Sequence, residues 1–464
     1  MSVGQPLFPP EALSRTLAWH DGQPITARRF VAQAATLAGR LPADGQPVNL
    51  CSDRYLFLLG FVAGLMRGQM SLLPPNAMPQ TLRQVAQPGA TPYALIDDPQ
   101  QDTGGLRAIV LSHDDAPGRA IDAAAHVPTF DPELWSACLL TSGSTGVPQP
   151  QRRRWRALTL SIEAEGRSLA QLLDWPSIEG LNIVATVPAQ HSYGFESSVL
   201  LALLGGAAFD AGRPFYPADI AEALGRLPRP RALVTTPVHL KALLGAGVAL
   251  PTVDLVLSAT APLSPQMAQQ AENLLGGRML EIYGCTEAGQ VAARRTTAGE
   301  VWTTLGDLRL HTEAAADGEG FIASGGHVLQ PTPLADLLEL VDAQRFRLLG
   351  RANDLIHVAG KRSSLSHLNF HLNRIEGVQD GAFWLPDDVP GAVVRLVAFV
   401  VAPTLSARRI TDALRREVES AFVPRRVVHV DRLPREATGK LTTHRLRDFA
   451  LHTLAQLDAG SQRQ

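Results

Sequence analysis

Apolar runs of β type alternate with longer runs of helical periodicity through the first 260 residues of the chain. In chain order these pairs are QPVNLC with YLFLLGFVAGLM, NIVATVP with SSVLLALLGG, ALVTTP with VHLKALL, and VDLVLSAT with SPQMAQQAENLL. A repeated order of strand and helix predicts parallel sheets covered by helices on both faces. The run from Tyr55 to Met66 is too short for a membrane span, which needs about 20 apolar residues, so it predicts a buried helix.

The pattern changes after residue 300. From Trp302 to Leu349, short strands separated by turns at DGEG, SGG and VDAQ predict a small β subdomain. After Gly350, the runs HLNFHLNRIEGV, VVRLVAFVVA, ARRITDALRREVES and RRVVHVDRLP predict a compact unit of alternating α and β elements. The sequence therefore predicts an N-terminal domain of layered α/β subdomains over residues 1–350 and a small C-terminal α+β domain over residues 351–464.

Composition narrows the class of protein. The chain has 464 residues, of which 45% are hydrophobic and 19% charged, and its formal net charge is -2. These values are typical of globular proteins and give no electrostatic reason to expect nucleic acid as a partner. The three cysteines are far apart, which argues against a disulfide framework or a zinc site. The first residues lack a basic region followed by an apolar stretch, so we expect a cytoplasmic protein without a membrane span.

A loop rich in glycine and hydroxyl residues follows the apolar run ACLL. Its residues are Thr141, Ser142, Gly143, Ser144, Thr145 and Gly146. Glycines let a backbone bend tightly, and the donors of such a loop can converge on one anion, as a phosphate site requires. The standard signature G-x-x-x-x-G-K-[ST] does not match this loop. Taken alone, the loop is equally well explained as a solvated connection.

Three further stretches follow it in the chain: YGCTEAG from Tyr283, RFRLLGRANDLIHVAGKR from Arg345, and PREATGKLTTHRLRDF from Pro434. These four stretches, in this order and at these separations, resemble the adenylate-forming superfamily of acyl- and aryl-CoA synthetases, carrier-protein ligases, nonribosomal adenylation domains and luciferases. The resemblance extends from about Val48 to Leu446. It implies condensation of a carboxylate with ATP to an acyl adenylate, followed by transfer to a phosphopantetheine thiol, with a mobile C-terminal domain.

The resemblance also implies roles for residues in the nucleotide site. The hydroxyl residues of the Thr141–Gly146 loop would bind the β- and γ-phosphates. Tyr283 would stack on adenine, Thr286 would contact the α-phosphate, and Glu287 would bind Mg²⁺, a hard cation that prefers carboxylate and phosphate oxygens.

The resemblance assigns further roles near the domain boundary. Asp336 and Arg351 would bind the ribose, and Asn353 would be the hinge. Lys440 would be the catalytic residue that bridges the carboxylate and the α-phosphate, as a movable point charge, and leaves when the small domain rotates. The loop VAGKR, with Gly360, would line the pantetheine tunnel in that second conformation.

A pocket for the carboxylic acid is implied beside the nucleotide. Its expected residues, with His191 also a candidate catalytic gate, are His191, Tyr193, Gly194, Ser258, Ala259, Thr260 and Gly284. Amino-acid-activating relatives carry an aspartate close to the position of Tyr193, whereas the only acid here, Glu196, comes a few residues later. This difference favours an aryl or fatty acid without an amino group.

The acceptor is either coenzyme A or the phosphopantetheine of an acyl carrier protein. The stretch NLCSDRYLFLLGFVAGLMRGQMSLLPPN is similar to bacterial stand-alone ligases of aryl-polyene and xanthomonadin-type pathways, which act on carrier proteins. Arg425 and Arg426 would then offer a docking site for an acidic carrier protein.

Two alternatives remain open. Gln149 replaces the lysine usual in the family, and Leu334 and Ala335 replace Thr-Gly before Asp336, which would suit a non-catalytic nucleotide binder. Retention of Glu287, Arg351 and Lys440 argues for an enzyme. The second alternative is an amino-acid-adenylating enzyme.

Two local hypotheses concern single residues. Arg152, Arg153 and Arg154 are expected to compensate for Gln149 by reaching the phosphates, so that replacing Arg152 or Arg153 would raise the Michaelis constant for ATP. Cys285 has no visible base beside it and is not expected to be a nucleophile.

Overall fold

The structure is a computed structural model that describes residues 4–74, 78–79, 81–82, 91–114, 126–141, 149–315, 318–351, 355–358, 361–386, 395–435 and 441–461. The strands within them are β1 Gln5–Pro6, β2 Thr16–His20, β3 Gln23–Thr26, β4 Gln46–Asn49, β5 Ser71–Leu73, β6 Pro92–Ile96, β7 Arg107–Val110, β8 Thr129–Phe130, β9 Trp135–Thr141, β10 Gln149–Arg154, β11 Asn182–Ala185, β12 Ala208–Asp210, β13 Arg231–Thr235, β14 Leu255–Ser258, β15 Arg278–Cys285, β16 Gly289–Arg295, β17 Val301–Thr304, β18 Arg309–Ala315, β19 Gly318–Gly325, β20 Val328–Leu334, β21 Asp336–Leu340, β22 Arg345–Arg351, β23 Leu355–Val358, β24 Lys361–Ser364, β25 Asp380–Trp384, β26 Val397–Val401 and β27 Arg426–His429.

The helices lie between and around these strands. They are α1 Ala27–Arg40, α2 Arg54–Met66, α3 Trp155–Leu173, α4 Ser192–Gly194, a π-helix Phe195–Leu200, α5 Leu201–Gly205, α6 Pro217–Arg226, α7 Pro237–Gly245, α8 Pro265–Leu275, α9 Leu365–Asn373, α10 Ala407–Glu417 and α11 Thr443–Ser461, with 3₁₀ turns at Pro10–Ser14, Thr296–Ala298 and Ser420–Phe422.

The first large sheet has the strand order β10-β9-β5-β4-β6-β7. All neighbours are parallel except β9 and β10, which form an antiparallel pair. Helix α2 begins at Arg54 and is capped by Asp53, whose side chain accepts a hydrogen bond from the Leu56 amide. Its residues from Arg54 to Leu65 are buried. The expected buried helix in this stretch is therefore confirmed.

The second sheet has eleven strands in the order β21-β22-β17-β16-β15-β14-β13-β11-β12-β2-β3. From β15 to β2 the neighbours are parallel, and antiparallel strands extend the sheet at both ends. The four predicted strand and helix pairs occupy these two sheets, so the expected α/β fold class is confirmed. The largest apolar core joins α1, α2 and α3 with the inner strands of both sheets.

The region from Trp302 to Leu349 differs from its prediction. The turns at SGG and VDAQ each connect antiparallel strands as expected. The stretch DGEG begins outside the described residues, and its last three residues belong to β19. Only β18, β19 and β20 form a separate small sheet, however, whereas β17, β21 and β22 join the eleven-stranded sheet. The physical reason is burial: Trp302 and Phe346 on β17 and β22 pack in one core with Tyr283 of β15.

The C-terminal part contains its own sheets and cores. Strands β23 and β24 form a hairpin, and β25, β26 and β27 form a mixed sheet packed by α9, α10 and α11. Its two apolar clusters draw on residues from Ile356 to Leu454 and share no member with the N-terminal clusters. The exact boundary at residue 350 stays a prediction. Among the described residues, no helix combines the length and apolarity that a bilayer crossing requires.

Candidate active site

Three candidate segments meet at one edge of the eleven-stranded sheet. His191 follows β11, Ser258 ends β14, and Gly284 lies at the end of β15. Strands β11, β13, β14 and β15 are parallel neighbours, so their carboxyl ends share this edge. Open parallel sheets bind ligands at such an edge.

The stretch YGCTEAG forms a tight hairpin between β15 and β16. Cys285 pairs with Gly289, and a register shift falls between Tyr283 and Gly284. A β-carbon on Gly284 would lie 2.4 Å from the Gly289 carbonyl oxygen, so the hairpin closes only because Gly284 has no side chain. Glu287 lies exposed in the turn, which leaves its carboxylate open to a ligand.

Tyr283 and the two expected ribose residues come together. The Tyr283 hydroxyl donates a hydrogen bond of 2.8 Å to Asp336 Oδ2. Asp336 opens β21 and pairs in register with Arg351 at the end of β22. The Tyr283 ring packs at an angle on Trp302 and Phe346, with centroids 5.9 and 5.5 Å away, which fixes its position.

The acid-pocket candidates on the β11 side are held by close packing. The Tyr193 hydroxyl donates to the Leu257 carbonyl oxygen over 2.8 Å, which ties this wall to β14. A β-carbon on Gly194 would lie 2.0 Å from the Pro188 carbonyl oxygen, so only glycine is compatible with this turn. Tyr193 is buried and lies inside the wall, whereas half-buried His191 precedes α4.

A residue that the sequence did not single out supports the same wall. Arg54 is buried, and its Nη2 donates to the carbonyl oxygens of Ala185 and Val187 at 3.0 and 2.9 Å. Its Nη1 donates to Ser198 Oγ over 2.8 Å. Burial lowers the pKa of Arg54 to about 10, so the guanidinium is charged at neutral pH. The only sequence signal was an arginine at the start of an otherwise apolar helix.

The opposite wall is formed by the residues after β14. Ser258 and Ala259 are buried, and Thr260 is exposed with a φ of 78°. A β-branched residue rarely adopts this backbone conformation, and such strain concentrates at ligand sites. The Leu263 amide donates to Glu281 Oε1, and Glu281 is paired with Arg294, which fixes the end of the wall.

Several predicted residues lie outside the described part of the chain. The phosphate loop is described only at Thr141, the last residue of β9, while Ser142, Gly143, Ser144, Thr145 and Gly146 are not described. Asn353, Gly360 and Lys440 are likewise outside the described residues. Their roles stay predictions.

The three arginines after Gln149 point to different partners. Arg154 lies over the Trp135 ring and pairs with Glu133, so it is occupied away from the loop. Arg153 donates to the Thr286 carbonyl oxygen in the hairpin, and Arg152 is exposed on the other face of β10. The expected joint compensation for Gln149 is therefore wrong for Arg154, because its side chain is bound by Trp135 and Glu133.

Cys285 is unsuited to nucleophilic chemistry. Burial raises the pKa of its thiol to about 12, and the carboxylate of Glu287 adds to this rise. A thiol in this environment stays protonated and weakly nucleophilic at neutral pH.

The sequence also missed a buried polar group behind the pocket. Glu165 is fully buried on α3, and Glu196 is nearly so on the π-helix. Glu196 accepts hydrogen bonds from Ser192 Oγ at 2.7 Å and Ser161 Oγ at 3.4 Å. The available signal was that Glu165 falls on the apolar face of α3, at helical spacing from Leu158, Ile162 and Leu169.

Comparison with known sequences decides the family. The profile of the AMP-binding enzyme family matches residues 14–315, and that of the AMP-binding enzyme C-terminal domain matches residues 372–440. This chain belongs to the AMP-binding enzyme family. This AMP-binding enzyme is 31% identical over 298 residues to a 4-coumarate–CoA ligase of Rhodobacter capsulatus, an alignment covering 64% of the chain and 71% of the relative. It is 26% identical over 411 residues to a 4-chlorobenzoate–CoA ligase of an Arthrobacter species, covering 79% and 75%.

Solved structures share the fold of this AMP-binding enzyme. A benzoate CoA ligase from Burkholderia xenovorans superposes with a TM-score of 0.75 at 18% identity, covering 94% of this chain and 97% of that one. The ATP-bound MatB from Rhodopseudomonas palustris gives the same score and identity, with coverage of 94% and 96%. The predicted large N-terminal domain and small C-terminal domain of an adenylate-forming fold are thus confirmed.

The relatives also establish the class of enzyme. The chain is an acid–thiol ligase of the AMP-binding family, which activates a carboxylate and passes the acyl group to a thiol, as the sequence predicted. The non-catalytic alternative is not supported by these relatives. The individual roles assigned to site residues are not tested by them and stay predictions.

Proposed function

We propose that this ligase condenses an aryl or fatty acid lacking an amino group with ATP to an acyl adenylate and pyrophosphate. It then transfers the acyl group to a phosphopantetheine thiol with release of AMP. The convergence of Tyr283, Asp336 and Arg351 at the sheet edge carries this proposal. A carboxylate accepts hydrogen bonds from both ribose hydroxyls, and Arg351, whose backbone is in register with Asp336, is expected to add donors to the same sugar. Tyr283 would then lie beside the base of the same nucleotide.

Mg²⁺ is the metal that this reaction implies. The donor set at the hairpin suits it, because the Glu287 carboxylate is exposed beside the Thr286 hydroxyl, and Mg²⁺ prefers oxygen ligands. Glu287 would hold the ion, which would neutralise charge on the phosphates of ATP. Thr286 would donate to the α-phosphate from the same turn.

The charges near the pocket support a substrate without an ammonium group. Glu196 is the acid closest in sequence to Tyr193, and the positive charge of Arg153 opposes the rise of its pKa that burial causes. Glu196 therefore already has a cationic neighbour. The activities of the relatives, ligation of 4-coumarate and 4-chlorobenzoate, agree with an aryl acid.

Coenzyme A and a carrier protein remain the two candidate acceptors. The relatives are CoA ligases, which supports coenzyme A. Arg425 is exposed beside β27 on the small domain and would suit an acidic carrier protein of an aryl-polyene type pathway.

The proposal is tested by ATP–pyrophosphate exchange with a panel of acids, using wild type and Asp336→Ala. We expect acid-dependent exchange from wild type and an apparent Michaelis constant for ATP raised by about tenfold or more in the variant, because two charge-assisted hydrogen bonds are lost. Glu339→Ala is the matched control, since Glu339 is an exposed residue on the same strand that pairs with Arg347. Absence of exchange with every acid would refute the proposed function.

A second experiment identifies the acceptor of the acyl group. Incubation with ATP, an active acid and either coenzyme A or a phosphopantetheinylated carrier protein should yield a thioester, detected by mass spectrometry, with one acceptor far more than the other. Accumulation on coenzyme A alone would contradict the carrier-protein alternative.

A further inference from the structure

Two histidines and an aspartate from distant parts of the chain lie together, away from the candidate active site. They are His20, Asp53 and His113, and each offers a ligand atom within 4.8 Å of those of the other two. His20 ends β2, Asp53 precedes α2, and His113 follows β7. Imidazole nitrogens and a carboxylate oxygen are a donor set that proteins use to bind transition metals. The cluster is therefore a candidate metal site.

Asp53 is held in a fixed position beside the histidines. Its Oδ1 accepts a hydrogen bond from the Leu56 amide at 2.9 Å, which caps α2. Its own amide donates to Asp97 Oδ2 at 2.6 Å. Its Oδ2 lies 2.9 Å from His113 Nε2. Contacts of this kind orient a ligand before the ion arrives, which lowers the entropic cost of binding.

The two imidazole rings lie side by side near this carboxylate. The rings of His20 and His113 are stacked with centroids 3.7 Å apart, and buried Tyr55 also stacks on His113, with centroids 5.3 Å apart. Stacked rings direct their nitrogen lone pairs in nearly parallel directions, so sharing one ion requires a ring to turn. The side chain of His20 is 41% exposed and can change rotamer, while Tyr55 and Asp53 hold His113 in place.

The cluster is open to ions from solvent and carries negative charge. The side chains of Asp53 and His113 are each 21% exposed. Asp21, in the turn after β2, adds a second carboxylate 3.6 Å from His20 Nε2. Two carboxylates attract a divalent cation. Imidazole ligands favour Zn²⁺ over Mg²⁺ and Ca²⁺, which prefer oxygen ligands.

We propose that His20, Asp53 and His113 form a Zn²⁺ site that joins the edges of the two large sheets. Strand β3, the partner of β2, is the last strand of the eleven-stranded sheet, and β7 is the last strand of the six-stranded sheet. An ion bound by all three residues connects these edges and stabilises the folded chain, because the unfolded chain lacks the assembled site. Three protein ligands leave the fourth tetrahedral position for water or Asp21.

The proposed zinc site is separate from the candidate nucleotide site. In the strand order β15-β14-β13-β11-β12-β2, β2 lies five positions from β15, which is about 24 Å at about 4.8 Å per position. The ligands include no cysteine and are spread over residues 20–113, so the spacing of cysteines does not reveal them. The inference is independent of the proposed ligase reaction, and either can fail without the other.

The first test measures Zn²⁺ binding to the full chain after treatment with a chelator and its removal, without ATP or Mg²⁺. Equilibrium dialysis with elemental analysis should show one tightly bound Zn²⁺ per chain, which an excess of Mg²⁺ does not displace. Thermal unfolding should shift to higher temperature when Zn²⁺ is added. Absence of saturable binding, or displacement of the ion by Mg²⁺, would overturn the inference.

Substitutions assign the bound ion to the three ligands. His20→Gln, His113→Gln and Asp53→Asn should each weaken Zn²⁺ binding by about 100-fold or more and abolish the thermal shift, because each removes a ligand. Asp53→Asn keeps an oxygen that can cap α2, so its loss of binding is not explained by a loss of the helix. His311→Gln is the matched control, because His311 is an exposed histidine on β18, and it should bind as wild type does.

Two results from the variants would overturn the inference. Wild-type affinity in the three ligand variants would show that the ion binds elsewhere, and an equal loss in His311→Gln would show that the binding is not specific to this cluster. Circular dichroism identifies the variants that fold. The partly exposed position of His20 keeps the test decisive if another variant does not fold.

Discussion

At the residue scale, Glu165 is a buried acid at a position where the helical spacing of α3 predicts an apolar residue. Its spacing in α3 matches the apolar residues Leu158, Ile162 and Leu169, yet it places a carboxyl group in the interior. Burial of a charge without a paired partner is costly, and the group takes up a proton instead. The residue is therefore a buried acid that stays neutral under ordinary conditions.

A pH-dependent stability follows for Glu165→Gln. The pKa of Glu165 is about 8 in the folded chain and near 4.5 when unfolded, so the folded state retains a proton that the unfolded state releases between these values. Wild type should therefore lose stability relative to the variant as pH rises from about 5 to 8, by a few kcal/mol in total. Denaturant unfolding at each pH measures the difference. Glu163→Gln should show no such trend, and a pH-independent gap for Glu165→Gln would contradict the argument.

Arg153 provides a second prediction at this scale. Arg153→Ala removes the donor to the Thr286 carbonyl oxygen and leaves buried Glu196 without its cation. We expect kcat/KM to fall by about tenfold or more together with lower stability, because uncompensated buried charge is strongly destabilising. Arg154→Ala is the control and should change kcat/KM little, because the Arg154 side chain lies against Trp135 and Glu133 outside the hairpin. Equal falls in kcat/KM for the two variants would contradict a specific role for Arg153.

At the scale of elements, the hairpin between β15 and β16 and the turn into the π-helix determine where the site lies. Phe195 opens the π-helix and packs edge-on against Phe57 and Phe61 of α2, with centroids 6.0 and 5.1 Å away. The wider turn of a π-helix accompanies the inward placement of Glu196 and Ser197, and such segments are frequent at functional sites. The alternation of polar and apolar residues in the sequence did not predict this π-helix.

Gly194→Ala tests the packing of this turn. The added β-carbon would lie 2.0 Å from the Pro188 carbonyl oxygen, so the wall must move, at a cost of about 1–3 kcal/mol in the free energy of unfolding. Activity should fall with it, since the turn carries His191 and Tyr193. Gly245→Ala is the matched control, because a β-carbon at this position would meet no atom within 4 Å. Thermal unfolding measures the stability of both variants, and pyrophosphate exchange measures their activity. Wild-type stability and activity of Gly194→Ala would contradict the packing argument.

At the scale of the whole molecule, two separately cored parts share one proposed site. Nucleotide candidates Tyr283 and Asp336 belong to the eleven-stranded sheet, whereas Lys440 belongs to the part that follows β22. Lys440 is one of just three lysines in a chain with 42 basic residues, the others being Lys241 and Lys361. The resemblance that assigns it a catalytic role thus concerns a residue type that this chain rarely uses.

Lys440→Ala should separate the two steps of the reaction. Pyrophosphate exchange should fall by about 100-fold or more, because the lysine would stabilise charge as the adenylate forms. Thioester formation from a chemically prepared acyl adenylate should persist. His444→Ala is the control, since His444 is exposed nearby and pairs with Asp448. Equal loss of both steps would contradict a role limited to adenylation.

The parallel α/β class, the two-part order of the chain and the family could all be predicted from the amino-acid sequence, because hydrophobic periodicity is local and YGCTEAG with its companion stretches is specific. The sequence also placed Tyr283, Asp336 and Arg351 in one expected nucleotide site. The three-dimensional structure was needed to show that β17, β21 and β22 complete the large sheet and that Arg153 and Arg154 face different partners. It also brought Glu165 beside Ser197 and Gln290, because residues so distant in sequence meet only through packing between elements, which no local pattern records.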